Sequence, residues 1–241
     1  MLSESQLQPL ILARQVLPFR FGESVWLLDH RAAVYWPEQD CLLIADLHFE
    51  KGSFLSQYAS PIPRYDSKST LQTIAELITT YSPERVLCLG DSFHDIGAFS
   101  RLLPEDLQQL NTIVASVPCW NWLVGNHDPA IPASIPGHRD ETLILITRGG
   151  KQIKCQHIPD TSDALQIAGH YHPKALLTTP VRRFRGKALV TTENLMLLPA
   201  LGQYTGGLNI EDGVLTALAP KRARQCYLLC EQRVLALPKG S

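Results

Sequence analysis

The chain concentrates its metal-capable side chains in five short segments. They are Asp46-Leu47-His48, Gly90-Asp91-Ser92-Phe93-His94-Asp95, Gly125-Asn126-His127-Asp128, Cys155-Gln156-His157 and Gly169-His170-Tyr171-His172-Pro173. Of the eight histidines, only His30 and His138 lie outside them. Carboxylate, imidazole and amide oxygen together suit Mn, Fe or Zn, whereas a thiolate-seeking ion would ask for cysteine. The alternation in Asp46-x-His48 and in His170-x-His172 predicts that both side chains of each pair point the same way from an extended backbone. Gly90, Gly125 and Gly169 are expected to turn the chain sharply, so that the next residue faces the ions.

Such a centre needs strands that end together, because in open α/β sheets the functional crevice lies at their carboxyl ends. Apolar runs at 41–45, 85–89 and 119–124 read as buried strands, and they stop at Asp46, Gly90-Asp91 and Gly125-Asn126. Ahead of them, 25–28 and 32–36 read as a hairpin turned at Asp29-His30-Arg31. Residues 49–65, rich in Ser, Pro, Tyr and Gln, read as a loop. Asp66 is the expected N-cap of a helix with Leu71, Ile74, Ala75 and Ile78 on one face, ended by Ser82-Pro83. Pro104 opens a second helix, with Leu107, Leu110 and Val114 on one side. This order of strands and helices predicts an α/β layer with parallel neighbours. Residues 128–140 read as a surface loop. Beyond them the chain turns to short strands. A hairpin at 142–147 and 152–156 is followed by runs at 165–168, 188–191, 195–198, 214–218 and 226–229, which predicts a second sheet packed on the first.

A length of 241 residues with 45% hydrophobic side chains supports a substantial core and sets aside global disorder. One domain over 1–241 is expected. The formal net charge of -1 gives no general pull toward nucleic acid or anionic lipid, so any such attraction must come from local patches. The six cysteines form no CxxC pair, and four of them sit in apolar strand-like runs, which reads as buried reduced thiols in a cytoplasmic protein. The opening MLSESQLQPLILARQ lacks the pattern of a signal peptide, and no apolar run has the length of a membrane span.

Taken in order, DLH, GDSFHD, GNHD, the single His157 and GHYH resemble the five signature blocks of the calcineurin-like metallophosphoesterase superfamily. The resemblance implies an αββα sandwich of two mostly mixed β-sheets flanked by helices. It implies that Asp46, His48 and His172 hold one divalent metal ion and that Asn126, His157 and His170 hold another, with Asp91 bridging the two. It makes His127 the active-site histidine and Asp128 the residue that orients it. The physical logic agrees. Two cations about 3.5–4 Å apart clamp a phosphate and lower the pKa of a shared water, whose hydroxide then attacks phosphorus in line. The leaving oxygen needs a proton, which a positioned imidazole supplies, and an adjacent carboxylate can fix the imidazole tautomer.

Two further patterns narrow the expectation. GDSFHD is similar to the GDLFH block of double-strand-break-repair nucleases, which implies that His94 supports His127 or a substrate phosphate. ADLHFEKG, GDSFHD, GNHD, GHYHP and LPALGQYTGGLN together resemble the PdeM-type, ligase-associated DNA damage response endonucleases. That family implies a manganese-dependent phosphodiesterase, with iron or zinc as other fits, that nicks single-stranded DNA beside a repair helicase, exonuclease and DNA ligase. This chain departs from the pattern at Glu50-Lys51-Gly52, where a glycine is expected near position 50, which leaves the parts of Glu50 and Lys51 open. Arg182-Arg183-Phe184-Arg185-Gly186-Lys187 offers cations and a ring that can grip phosphates and stack a base, and it reads equally as a solvated turn. Lys51 is a further candidate for substrate contact. The alternatives are a nucleotide or small-molecule phosphodiesterase with an enclosed pocket, and an interaction scaffold, against which the complete ligand set speaks.

Overall fold

Two β-sheets share one core, and their strand ends meet where the five segments lie. The computed structural model describes residues 3–58, 63 and 65–240. The first sheet runs in chain order through β1 (Val16–Phe21), β2 (Ser24–Asp29), β3 (Ala33–Trp36), β4 (Cys41–Ile44), β5 (Arg85–Leu89), β6 (Cys119–Leu123) and β7 (His138–Asp140). Pairing is antiparallel from β1 to β4 and parallel from β4 to β7. The second sheet holds β8 (Thr142–Ile146), β9 (Gln152–Gln156), β10 (Leu165–Ala168), β11 (Lys174–Thr178), β12 (Arg183–Thr191), β13 (Leu195–Leu197), β14 (Gln225–Cys230) and β15 (Arg233–Ala236). Its order is β15-β14-β12-β13-β10-β9-β8, with β11 paired to β12. Parallel pairs (β9–β10, β10–β13) and antiparallel pairs occur together, so both sheets are mixed.

The helices are α1 (Glu4–Leu12), α2 (Lys51–Tyr58), α3 (Asp66–Tyr81), α4 (Ala98–Arg101), α5 (Pro104–Ala115) and α6 (Gly213–Leu218). Crossovers through α3 and α5 make the central strands of the first sheet parallel, because a parallel connection must return along one face. Each helix buries one apolar stripe: Leu71, Ile74 and Leu77 from α3, and Leu110, Ile113 and Val114 from α5. Burying such side chains stabilises the layer by roughly 1.5–3 kcal/mol each. The core between the sheets joins Leu42 and Ile44 to Ile153, Ile167 and Met196. All four tryptophans belong to the first sheet, with Trp26 stacked on Trp36 at 4.4 Å. A smaller apolar cluster holds α6, through Leu215, against Ala188, Val190 and Leu228.

Several elements differ from those expected. Within 49–65, which reads as a loop, Lys51–Tyr58 is helical; part of that segment, 59–62 and 64, lies outside the described residues. Asp66 does not act as N-cap of α3. Tyr65 occupies the cap, and the Asp66 carboxylate instead accepts the Gly52 N–H at 2.7 Å, closing the first turn of α2. Residues 214–218, expected as a strand, form α6, because Asp212 caps them by accepting the Val214 N–H at 2.9 Å. The strand expected at 188–191 begins earlier, at Arg183, so most of the basic segment is strand rather than turn. Residues 138–140, expected in a loop, add β7 to the edge of the first sheet. All six cysteines are thiols. Among the described residues no helix is long and apolar enough to cross a membrane.

Candidate metal centre

The candidate ligands lie just past the ends of β4, β5, β6, β9 and β10. Five of them occupy left-handed backbone: Asp46 (φ 53°), His48 (46°), Asp91 (48°), His170 (71°) and His172 (45°). The extended backbone expected for Asp46-x-His48 and His170-x-His172 is therefore not found. The chain reverses at these positions, and the reversal is stitched by Asp46 N–H to the Gly90 carbonyl (3.2 Å) and His48 N–H to the Asp91 carbonyl (2.9 Å). For a residue with a Cβ this conformation costs roughly 1–2 kcal/mol, and it persists only where the surroundings over-determine it. Of the three expected turn glycines, only Gly90 has positive φ (79°). Gly125 and Gly169 serve close approach instead. A Cβ on Gly125 would overlap Asp91, and one on Gly169 would lie 2.7 Å from Asp46 Oδ2.

The side chains converge in two groups, Asp46 with His48 and His172, and Asp91 with His157 and His170, each with its ligating atoms within 4.8 Å of one another. In the first, His48 Nε2 lies 3.2 Å from His172 Nε2, and His172 Nε2 lies 3.1 Å from Asp46 Oδ1. In the second, His157 Nε2 lies 3.2 Å from Asp91 Oδ2, 3.2 Å from His170 Nδ1 and 3.0 Å from Asn126 Oδ1. Asp91 Oδ2 is also 3.8 Å from His48 Nε2, which puts this oxygen between the groups.

Acceptor atoms thus face acceptor atoms at hydrogen-bond distances. His157 Nδ1–H is committed to the Leu89 carbonyl (2.9 Å), which turns Nε2 toward Asp91 and Asn126. A buried cluster of lone pairs wants a cation at its centre, and a mixed oxygen and imidazole set is what divalent Mn, Fe or Zn takes. The residues fit two such ions. Without an ion, the cluster settles its own charges. Burial pushes His48 down to about 2, keeping the ring neutral. Burial also opposes charge on His157 and Asp91, but the hydrogen bond between them overrides it, raising His157 to about 8 and lowering Asp91 to about 2.

No protein-family model and no curated relative matches the sequence. Among solved structures, the chain is similar to a Pseudomonas putida nuclease MPE at 26% identity and a TM-score of 0.72, over 92% of this chain and 100% of that one. The chain shares the fold of that nuclease, and its two groups of Asp and His side chains support a metal-dependent phosphoesterase. A phosphoesterase from E. coli, Yfce, aligns over 83% of this chain at 12% identity, with a TM-score of 0.42 too low to argue from.

Around the candidate metal centre the remaining expected residues take unequal places. His127 Nδ1 donates to the His94 carbonyl at 2.8 Å, and the two rings stack at 5.2 Å. His94 Nδ1 meets His48 Nδ1 at 3.3 Å, so His94 holds one candidate ligand through its ring and His127 through its backbone. Burial lowers His94 to about 4. Asp128, expected to orient His127, does something else. Its carboxylate accepts N–H groups from Asp91 (3.1 Å), Ser92 (2.7 Å), Phe93 (3.0 Å) and Gly125 (2.9 Å), tying the β5 turn to the β6 turn. Adjacency in GNHD suggested the pairing; the backbone turns the two side chains apart.

Glu50 is buried, and its Oε1 accepts the Ser67 hydroxyl at 2.9 Å, so the departure from the family pattern is a brace to α3. Lys51 is half-buried beside the centre, where burial and Lys174 lower its pKa against the pull of Asp91 and Asp46. Arg183 and Arg185 are exposed on β12, while Arg182 pairs with Glu231 and lies over Phe184 at 5.1 Å. Lys187 comes from the expected basic segment, and Lys174 was not anticipated. Lys187 Nζ donates to the carbonyls of Leu201 (2.8 Å) and Gly202 (3.0 Å), and Lys174 Nζ to that of Thr205 (2.9 Å). The Leu201 and Gly202 N–H groups in turn bond the Ala45 and Asp46 carbonyls. Lys174 stands two residues past His172, which was its only mark in the sequence.

Proposed function

We propose that this metallophosphoesterase is a manganese-dependent phosphodiesterase that nicks single-stranded DNA in cytoplasmic DNA repair, beside a DNA ligase, helicase and exonuclease. One observation carries the reading: two groups of carboxylate, amide and imidazole ligands share an oxygen of Asp91 in a chain that resembles a nuclease along nearly its whole length. In this reading Asp46, His48 and His172 hold one ion, Asn126, His157 and His170 the other, and Asp91 both. Bound there, the ions supply positive charge that polarises the phosphate and acidifies a water.

The chain's own residues do the rest. His157 is oriented by the Leu89 carbonyl and His48 by the His94 ring. With Nδ1–H committed to the His94 carbonyl, His127 is left with Nε2 to hand a proton to the leaving oxygen or to hold a phosphate oxygen. Lys51 adds a cation for the phosphate on the Asp46–Asp91 side.

The test gives the purified protein, with Mn, Fe, Zn or none, circular single-stranded DNA and bis-p-nitrophenyl phosphate in parallel. Linearised circles with Mn are expected. Intact circles alongside ester cleavage would leave the nucleotide or small-ester alternative; digestion only of DNA with free ends would replace nicking by exonuclease action.

A further inference from the structure

We propose that the β11–β12 hairpin is the track that carries the DNA strand away from the centre, with Lys174, Arg185 and Arg183 on the phosphates beyond the scissile one and Arg182 taking no part. The inference rests on the nuclease reading above and adds to it a direction and a set of contacts.

The pairing register decides which side chains share a face. Lys174 lies opposite Lys187, Leu176 opposite Arg185, and Thr178 opposite Arg183. Cross-strand partners project from the same side of a sheet, so these six residues line one face. The opposite face carries Ala175, Leu177 and Phe184, which pack on the smaller apolar cluster. The inner end of the basic face is fixed against the centre, because the carbonyls that Lys187 holds belong to the segment bonded to Ala45 and Asp46. Lys174 is near enough to Lys51 and to Arg185 for their charges to act on one another. Lys174, Arg185 and Arg183 thus succeed one another along one face that starts two residues past His172.

Arg185 and Arg183 stand outward from there, and among the described residues neither has a carboxylate within ion-pair reach. Alternate residues of a strand are about 6.6 Å apart, on the order of one nucleotide repeat of an extended strand. A positive groove with an apolar body beside it is how single strands are held without regard to sequence. Leu176, 48% exposed between the cations, supplies that body. Arg182 is excluded by its own contacts, since Glu231 and the Phe184 ring draw it off the basic face.

The test compares wild type with R183A/R185A, R183K/R185K and R182A in Mn, using a single-stranded oligonucleotide and bis-p-nitrophenyl phosphate. For R183A/R185A, kcat/KM on the oligonucleotide should fall about tenfold or more, with a shallower salt dependence, by about 0.7 in log–log slope per lost phosphate contact. Its ester hydrolysis should stay at the wild-type level. R182A should match wild type on both substrates, and R183K/R185K should recover most of the lost DNA cleavage. An alanine pair that cleaves the oligonucleotide like wild type, or loses the ester activity in equal measure, overturns the track, as does a lysine pair no better than alanine. Wild type that cleaves the ester and leaves DNA intact instead sinks the nuclease reading itself.

Discussion

Asp91 serves two neighbours with two oxygens. Oδ1 accepts the His127 N–H at 2.9 Å and Oδ2 faces both ligand groups. Asp91→Ala therefore removes the shared ligand and unties the turn that carries His127. Loss of phosphodiesterase activity together with loss of bound metal, read by elemental analysis, is the expected result. His127→Ala differs in kind, since His127 lies outside both groups. The variant should keep its metal content while turnover falls about 10²-fold or more, the scale of a lost acid–base group. Full activity in His127→Ala would remove it from the mechanism. At this scale the sequence was informative about which residues gather and poor about how. Blocks such as DLH and GHYH give residue types, and the structure brings all seven together. The left-handed backbone, the Asp128 knot and the His94–His48 contact depend on where two turns meet in space, which local spacing does not encode.

Among the elements, β12 does the most varied work, with Lys187 half-buried at its middle. Burial, with Lys174 adding to it, lowers the Lys187 pKa from 10.5 to about 8, against the pull of Asp46. The unfolded chain thus binds more protons than the folded one between about pH 8 and 10.5, and stability contributed by this group rises with pH across that window. Below pH 8 the charged form carries a burial cost of roughly 3 kcal/mol. Lys187→Met relieves that cost but leaves the Leu201 and Gly202 carbonyls without their donor, at roughly 1–3 kcal/mol each. The expected signature is a flattened rise in urea midpoint from pH 8 to 10 rather than a large change at pH 7. A slope identical to wild type would mean that Lys187 titrates normally. Legibility of the elements followed hydrophobic pattern. The continuous runs at β4, β5 and β6 and the stripes of α3 and α5 were plain. α2 and α6 were not, because one is closed by Asp66 from another helix and the other by a single Asp212 cap in a β-prone stretch. β11 was hidden because a short strand beside a basic turn has no periodicity to read.

At the scale of the molecule, each ligand group takes members from both sheets. Asp46 and His48 follow β4 of the first sheet while His172 follows β10 of the second; Asp91 follows β5 while His157 follows β9. An ion in either group therefore fastens one sheet to the other and binds only the folded chain. At one hundred times its dissociation constant such an ion stabilises the fold by about 2.7 kcal/mol, or roughly 5–10 °C in Tm for a chain of this size. Chelator should lower Tm by that order and Mn restore it; equal Tm with and without metal would mean that the ions do not bridge the sheets.

The two halves of one group are also far apart in time. His48 and His172 are separated by 124 positions, so a ribosome adds that many residues after His48 before the first ion has a complete seat. Closing so long a loop is slow compared with local pairing. In refolding, fluorescence from the four tryptophans of the first sheet should recover first, and the capacity to hydrolyse an ester should lag behind it.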